Sequence, residues 1–486
     1  MKGDIKLRRG YDGDVMLVNP SATLGIGGEA TVYSFPNDES LAAKVYLKPT
    51  DDHGRKLAVM CANPPIERTE GEEGSPLAWP VDTLHSADRK RRVIGYLMPK
   101  MKGMDPIINV YSLQSRLKDR PKFTYEHLLR TGQSLARAVS AVHASNYIIG
   151  DLNYTNAFVS QDSQVTLIDT DSFQVLDPDT GEIYRCPVFT PDFTPPELQG
   201  DEASTLTDRT HQHDLFSLGV LMFQLLMAGG HPFAGAFQEE GDPAPITDRI
   251  KDGHYPYATR REVPYKPAAI ALPLNIMAPA LRDLFTKCFE DGHDNPELRP
   301  TADAWLEALI QAEDKLTDCA TNEQHKYDNE LAACPWCERS VLLGGRDPFP
   351  SLAVVESGEH IQTVQVRQTL PTDWNPEWAG QQQVREYKVA GRGLTPDSKI
   401  WMGMSIFLWV GIPFWIGVAM LSPGIVALAF LIYGLLAFMV PWGLLSSVGL
   451  KATLSFQKGS RWMIASAAGS IIGIVIITVG SVIFAF

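Results

Sequence analysis

The sequence predicts an α+β domain, followed by a small Cys/His segment and three C-terminal membrane helices. Three observations lead to this prediction. Apolar strand-like runs and a long amphipathic helix alternate with glycine-rich and acidic loops in the first part of the chain. Three of the six cysteines lie close together with a histidine behind that part. The final part holds two long stretches without any charged residue.

The most informative segment is an acidic loop in the middle of the first part. Asp151 is followed five residues later by Asn156, and Asp169 ends an apolar strand-like run. Phosphoryl transfer from a nucleotide needs one carboxylate that accepts the proton of the attacking hydroxyl. It also needs an amide and a second carboxylate that hold magnesium on the phosphates. Asp171 is an alternative or second magnesium ligand in this pattern.

Upstream of that loop lie the elements that would bind the nucleotide phosphates. Gly25, Gly27 and Gly28 precede Val32 in a strand–turn–strand pattern, and glycine allows backbone amides to approach phosphate oxygens. Lys44 lies in an apolar run that reads as the next strand, where a lysine would pair with the phosphates. Further on, residues 91–101 read as a strand, and residues 125–145 have leucines at helical spacing.

Three downstream motifs complete a recognisable order of elements. They are Thr194-Pro195-Pro196-Glu197, the helix start at His213 to Val220, and Glu297 to Thr301 with Arg299. In order and spacing, the whole set resembles the eukaryotic-type (Hanks-type) Ser/Thr protein kinase domain, over residues 15–315. The resemblance implies a bilobal α+β fold that uses ATP and Mg²⁺. It also implies a buried ion pair between Glu197 and Arg299.

The resemblance assigns roles to individual residues. Asp151 would be the catalytic base, Lys44 would contact the phosphates, and Asn156 and Asp169 would bind magnesium, with Asp171 beside them. Backbone groups near Met98 and Met101 would bind adenine. The nucleotide-binding set would therefore consist of Gly25, Gly27, Gly28, Val32, Lys44, Met98 and Met101.

Several positions depart from the family pattern. Ile149-Gly150 stands where His-Arg usually precedes the catalytic Asp, which suggests that activation does not require an arginine at that place to clasp a phosphorylated loop. Asn153 replaces a common lysine, and the second acidic motif reads Asp-Thr-Asp instead of Asp-Phe-Gly. Thr180, Thr190 and Thr194 remain possible phosphate acceptors.

The glutamate partner of the strand lysine cannot be assigned from the sequence. The helix expected around residues 51–61 offers Arg55 and Lys56 where a glutamate should lie. Glu67 follows Pro64-Pro65, and proline ends a helix before it.

Behind this domain, residues 316–340 form a possible zinc-binding segment. Cys319, His325, Cys334 and Cys337 have the spacing Cys-x5-His-x8-Cys-x2-Cys, which supplies four ligands for tetrahedral zinc. Ordinary thiols or a redox pair at Cys334 and Cys337 are the alternative. Residues 341–398 are expected to form a linker or a small β-rich module without an assigned function.

Residues 399–486 are expected to form a membrane domain. Residues 400–450 and 462–486 carry no charge, which predicts spans at about 400–421, 424–447 and 462–486. The basic residues Lys399, Lys451, Lys458 and Arg461 flank one side of these spans, so the positive-inside rule predicts a plasma (inner) membrane protein with a cytoplasmic kinase domain. Small residues such as Gly469 and Gly473 would allow self-association of the helices.

The net negative charge of the chain argues against one class of partner, nucleic acid. The chain has a net charge of −14, and the tail from Lys399 carries four basic and no acidic residues, which leaves 39 basic and 57 acidic residues, a net −18, before it. Such an acidic chain is not expected to bind nucleic acid.

The leading hypothesis is a membrane-anchored kinase that transfers the γ-phosphoryl of ATP to Ser or Thr of protein substrates. The alternatives are a catalytically weak pseudokinase or scaffold, and a small-molecule kinase of the same fold.

Overall fold

The computed structural model describes residues 4–36, 38–65, 75–200 and 207–361. The described α-helices are α1 (Asp51–Ala62), α2 (Ile107–Tyr111), α3 (Leu113–Asp119), α4 (Tyr125–Ala144), α5 (His211–Leu226), α6 (Ile246–Lys251), α7 (Pro279–Thr286), α8 (Gly292–Asp294), α9 (Ala302–Asp314), α10 (Pro335–Leu342) and α11 (Leu352–Ser357). A π-helical turn at Lys287–Asp291 joins α7 to α8. The expected helices at residues 51–61 and 125–145 are therefore present, as α1 and α4.

The strands form one large sheet and several small ones. The large sheet contains β1 (Ile5–Arg9), β2 (Val15–Val18), β3 (Thr23–Ile26), β4 (Ala30–Ser34), β5 (Leu41–Tyr46), β6 (Asp82–Ser86) and β7 (Val93–Pro99), in the order β2-β1-β6-β7-β5-β4-β3. The smaller sheets contain β8 (Asp105–Pro106), β9 (Ala157–Val159), β10 (Val165–Leu167), β11 (Val175–Leu176), β12 (Ile183–Tyr184), β13 (Ala236–Phe237), β14 (Tyr265–Lys266), β15 (Leu316–Asp318) and β16 (Lys326–Asp328).

Side-chain alternation gives the large sheet two different faces. Ala43 on β5 and Leu97 on β7 belong to a separate apolar cluster on one face, together with Leu7 and Phe35. Because successive residues of a strand point to opposite faces, the residues on either side of Ala43 face the other way. Lys44 is one of them, and it lies on the face turned toward the helical part of the domain.

Three helices begin with the same local pattern, a threonine followed three residues later by a histidine. Each has a threonine N-cap whose side chain bonds the N3 backbone, and an N3 histidine whose ring bonds the N-cap backbone. The pairs are Thr50 with His53 in α1, Thr124 with His127 in α4, and Thr210 with His213 in α5. These caps satisfy amides that a helix start leaves without partners, and so fix where each helix begins.

The helical part is built around α4, α5 and α9. Leu135, Met222 and Trp305 are completely buried in its core, as is Leu309. Gly132 lets α9 approach α4 closely, because a Cβ at this position would lie 3.1 Å from the Leu309 side chain. A larger side chain there would require the Leu309 side chain to move by a few tenths of an ångström.

The chain continues to pack on this helical part beyond α9. The Trp336 ring lies 4.9 Å from that of Tyr125 and 4.9 Å from that of Phe349. The buried guanidinium of Arg116 donates to the carbonyl of Pro348 and lies over the Phe349 ring. Within residues 341–361, part of the expected linker or β-rich module, the regular elements are helical.

The expected membrane spans at 400–421, 424–447 and 462–486, and Glu67, lie outside the described residues. In the part of the chain that the structure describes, no helix is both long and apolar enough to cross a membrane.

Candidate active site

The strand lysine lies in a group of polar side chains on the inner face of the large sheet. Lys44 on β5 is paired directly with Tyr96 on β7. Tyr46 lies two residues after Lys44 and therefore points to the same face. The sheet register thus brings one ammonium and two phenols together, with the Lys44 nitrogen 5.8 Å from the centre of the Tyr96 ring.

Two carboxylates from the segment after β10 complete this group. The ammonium of Lys44 donates to Oδ1 of both Asp169 and Asp171. Burial disfavours the charged form of Lys44, but the two carboxylates outweigh it and raise the pKa of its ammonium. Burial likewise opposes ionisation of Asp171, yet its contact with Lys44 lowers the pKa of that carboxyl. The group is therefore an ionised lysine held between two carboxylates.

The two carboxylates differ in exposure and in backbone conformation. The Asp169 side chain is 41% exposed, whereas that of Asp171 is 9% exposed. Asp169 also has the left-handed conformation, with φ +60°, which is uncommon for a residue other than glycine. Such backbone strain is often found at functional sites. Asp169 is thus the more accessible of the two predicted magnesium ligands.

The loop that carries Asp151 is fixed by a buried carboxylate of α5. Asp214 accepts hydrogen bonds of 2.8 Å from the backbone amides of Ile149 and Gly150. His143, at the end of α4, donates from Nε2 to the same carboxylate over 3.0 Å. Although the sequence motif at residues 213–220 indicated the helix, it did not indicate that Asp214 positions the loop.

Gly150 is required by the same loop geometry. Its φ of +76° is one that L side chains rarely adopt, and an added Cβ would lie 2.7 Å from the Cβ of Cys186. Arg209, which is buried, donates to the Gly150 carbonyl and to the Val188 carbonyl. Arg209 therefore joins the loop to the segment that follows β12, and sequence reasoning missed it.

Inside the loop, the predicted catalytic residues are held in place by hydrogen bonds to the backbone. Asn156 donates from its side chain to the Asp151 carbonyl over 2.9 Å, and its own carbonyl accepts from the amide of Ile168. The second contact places Asn156 beside the start of Asp169. The Oδ1 atom of Asp151 is buried and has no hydrogen-bond partner among the described residues. A buried polar atom without a partner is unusual in a folded protein, which agrees with a catalytic role for this carboxylate.

Asn153 has a structural partner of its own. Its side-chain amide donates to the hydroxyl of Thr190 over 2.9 Å, and its carbonyl oxygen accepts from Thr155. Thr190, considered above as a possible phosphate acceptor, thus contacts the loop that carries Asp151 directly. The contact is a second connection between that loop and the segment after β12.

The glycine-rich turn lies between β3 and β4. Gly27 donates from its amide to the Ala30 carbonyl over 2.9 Å. A Cβ on Gly25 or Gly28 would meet no atom within 4 Å, so the turn borders open space. Phosphate oxygens could approach the backbone there. Val32 on β4 pairs with Lys44, which brings the turn and the lysine into the same part of the sheet.

The expected adenine-binding segment follows the same sheet. Met98 is buried near the end of β7, and Met101 lies just beyond that strand and is half-buried. The Lys100 amide between them donates to the Ser40 carbonyl over 2.7 Å.

Helix α1 brings a lysine to the site. Lys56 is buried and interacts electrostatically with Asp171 and Lys44. Arg55 is exposed and pairs with Asp52 in the same helix. No described residue of α1 is an acid in contact with Lys44. The question that the sequence left open therefore has a structural answer, because the acidic partners of Lys44 come from the segment after β10.

The predicted pair of Glu197 and Arg299 is confirmed. The guanidinium of Arg299 donates to both carboxylate oxygens of Glu197, over 2.6 and 2.7 Å, and its side chain is 0% exposed. It also donates to the carbonyls of Gly292 and Gln212.

Residues 96–309 match the family described as the protein kinase domain. This chain contains a Hanks-type protein kinase domain. It is 34% identical over 325 residues to the protein kinase YegI of Escherichia coli O157:H7. The matched region covers 66% of this chain and 48% of that protein. With YegI of strain K12 the identity is 34% over 319 residues, covering 65% and 47%. This chain spans about half the length of these curated relatives.

Among solved structures, the ROP18 kinase domain in complex with AMP-PNP and sucrose matches with a TM-score of 0.40 and 16% identity. The match covers 64% of this chain and 84% of that one.

A second group of ligand atoms follows the kinase domain. The predicted zinc ligands Cys319, His325, Cys334 and Cys337 come together, with their ligand atoms all within 4.8 Å of one another. His325 Nδ1 lies 3.4 Å from the sulfur of Cys334 and 3.5 Å from that of Cys337. Its Nε2 donates to Asp347 over 2.8 Å, a contact that the sequence did not suggest.

Proposed function

We propose that this protein is an ATP-dependent kinase that phosphorylates serine or threonine hydroxyls of protein substrates. The observation that carries the proposal is the convergence of Lys44, Asp169, Asn156 and Asp151, with an unpartnered oxygen on Asp151. The match of residues 96–309 to the protein kinase domain supports the same conclusion.

Each residue would have a distinct task in the transfer. Lys44 would bind the nucleotide phosphates, while the glycine-rich turn from Gly25 to Gly28 would cover them. Asp151 would orient the substrate hydroxyl and accept its proton. Asn156 and Asp169 would hold Mg²⁺, which neutralises charge on the phosphates. Their amide and carboxylate oxygens are ligands that magnesium prefers.

The decisive experiment is phosphate transfer by the full-length chain to a protein acceptor, with phosphoamino-acid analysis of the product. Asp151→Asn should lower kcat by about 10²-fold or more, because general-base catalysis is lost. Asp162→Asn is the matched control, since this aspartate is exposed in the turn between β9 and β10. Full activity of Asp151→Asn would refute the assigned base.

The same assay separates the alternatives. A pseudokinase would bind nucleotide without turnover by the wild-type chain. A small-molecule kinase would consume ATP without labelling protein. The motifs around Glu197 and Arg299 favour a protein substrate, because in kinases they build the platform for one.

We also propose that residues 399–486 anchor the chain in the plasma (inner) membrane, with the kinase domain on the cytoplasmic side and the bilayer as partner. Two uncharged stretches and the basic residues between the second and third expected spans support this. Self-association through the same helices belongs to this proposal. Recovery of the full-length chain in the soluble fraction of lysed cells would contradict the anchoring.

We further propose that Cys319, His325, Cys334 and Cys337 bind one structural zinc ion. Tetrahedral zinc places its sulfur and nitrogen ligands about 3.5–3.8 Å apart. The Cys334–His325 and Cys319–Cys337 separations of 3.4 and 3.6 Å fit this geometry. The bond from His325 Nε2 to Asp347 leaves Nδ1 free as the metal ligand, a common arrangement at zinc sites.

The electrostatics of the thiols also fit a cation. Burial opposes ionisation of Cys319, but backbone amides of Thr321 and Asn322 lower its pKa to about 6. Burial and the neighbouring sulfurs raise the pKa of Cys337 to about 12. Three thiolates would therefore not form together without a positive ion among them.

Elemental analysis of freshly purified full-length chain should find one zinc per chain. Cys337→Ser should lose the metal, whereas Cys61→Ser, outside the cluster, should retain it. A metal-free wild-type protein would refute the zinc site.

A further inference from the structure

We propose that Asp171 is the carboxylate that positions Lys44 for the nucleotide phosphates, in place of an acid on α1, and that Asp169 alone of the two is free to bind magnesium. This rests on the proposed kinase function and concerns the division of work within its site. Asp171 would then be a positioning residue that acts through Lys44.

The carboxylate of Asp171 accepts hydrogen bonds from three protein side chains. Its Oδ1 accepts from Lys44 and, over 2.8 Å, from the phenol of Tyr96. Its Oδ2 accepts from the phenol of Tyr46 over 2.9 Å. Both oxygens are thus occupied by protein donors in a buried place. Three of the roughly four acceptor positions of this carboxylate are thus taken, and its low exposure leaves little room for a hydrated magnesium ion.

Asp169 has the opposite properties. Among the described residues, its carboxylate has Lys44 as its one hydrogen-bond or ion-pair partner, and its side chain is 41% exposed. Asn156, the second predicted ligand, is tied to the residue just before Asp169 through the amide of Ile168. Accessible oxygens from two adjacent segments are what an oxygen-coordinated cation needs.

Helix α1 cannot supply the positioning acid. The side chain that it buries toward the site is Lys56, and the described residues contain no hydrogen-bond or ion-pair partner for it. A second lysine near Lys44 increases the local positive charge, so a buried carboxylate is needed there. Asp171 supplies it from a segment that is far from α1 in the sequence.

The helix still supports this network from one side. The His53 ring of α1 stacks on the ring of Tyr46, with centroids 4.3 Å apart. On the other side, the turn that carries Asp171 is anchored by Thr170, whose hydroxyl donates to the Ala78 carbonyl over 3.0 Å. The position of Lys44 therefore depends directly on the turn after β10, and α1 supports it through Tyr46.

The test compares Asp171→Asn with Asp169→Asn in the full-length chain, using two measurements. The first is the Mg²⁺ concentration that gives half of the ATP-induced thermal shift. Asp171→Asn should keep it within about 2-fold of wild type, and Asp169→Asn should raise it by about 10-fold or more, since loss of even an outer-shell partner of a bound metal typically costs about 10–100-fold in affinity. The second is kcat, which Asp171→Asn should lower by about 10²-fold through misplacement of Lys44.

Tyr96→Phe provides a milder variant that removes one donor to Asp171 and leaves both carboxylates. It should lower kcat several-fold at an unchanged Mg²⁺ requirement, and it keeps the proposal testable should Asp171→Asn fail to fold. The proposal is overturned if Asp171→Asn, or Tyr96→Phe in its place, raises the Mg²⁺ requirement as Asp169→Asn does, or leaves kcat unchanged. An inactive wild-type chain would refute the kinase function instead, while the thermal shifts would still decide between the two aspartates.

Discussion

Replacing Glu197 with alanine should lower the free energy of unfolding of the kinase domain by about 3 kcal/mol. Glu197 binds both terminal nitrogens of Arg299, whose side chain is 0% exposed. The change leaves a buried charge without its counterion, for which losses of about 3–5 kcal/mol are typical. Two backbone carbonyls still accept from the guanidinium, and Glu197 itself is 29% exposed, so we expect the lower end of that range.

Glu197→Gln should cost less, about 1.5–2 kcal/mol, because the amide oxygen can still accept one of the two hydrogen bonds. The matched control is Glu126→Ala, which removes the i,i+4 partner of the half-exposed Arg130. Exposed helical pairs of this kind contribute less than about 1 kcal/mol.

Urea unfolding of the full-length variants, followed by tryptophan fluorescence, measures these differences. The midpoint of thermal unfolding should fall by about 6–10 °C for Glu197→Ala. The reasoning is refuted if Glu197→Ala unfolds at the wild-type urea concentration, or if the control loses as much stability as Glu197→Ala.

Three further changes test the loop and its surroundings. Gly150→Ala should lower the free energy of unfolding by more than about 1–2 kcal/mol, the cost of a left-handed residue alone, because the added Cβ would also clash with Cys186. In urea unfolding, the second change Cys186→Gly should recover only the part that is due to this clash. Asp214→Ala leaves two amides unpaired, so it should cost about 2–5 kcal/mol in the same assay, and a loss below about 1 kcal/mol would contradict its role. Burial, against the attraction of Asp171, lowers the pKa of Lys56 to about 8. At Lys56 the unfolded chain then binds more protons than the folded chain between about pH 8 and 10.5, so the stability of wild type relative to Lys56→Met should rise with pH across this window.

Much of the kinase domain could be predicted because its chemistry is local in sequence. Asp151 and Asn156 share one loop, and the structure keeps them together, with the Asn156 side chain on the Asp151 carbonyl. The Cys/His segment is also local, so the spacing from Cys319 to Cys337 was enough to predict that its ligand atoms meet. In both cases a short segment fixes the relative positions of the groups, whatever the rest of the fold does.

Residues that act through long-range packing could not be predicted in this way. Arg116 is 2% exposed, and no described carboxylate pairs with it; its guanidinium donates to the carbonyls of Val110 and Pro348 instead. Burial lowers the pKa of its guanidinium to about 10. The carbonyl of Pro348 reaches Arg116, on α3, only because the segment after α10 folds back onto that helix. Spacing within the sequence contains no information about such a contact.

Two departures from the family pattern, which looked independent in the sequence, are explained together by the structure. One is the lysine at position 56, on the helix that should carry an acid. The other is the aspartate at position 171, where the family has a glycine. The first brings a positive charge toward Lys44, and the second brings a negative charge to the same place. The added carboxylate offsets the added lysine, and an excess of one charge in a buried site is costly. With both changes, two lysines face the two carboxylates of Asp169 and Asp171 in this part of the site.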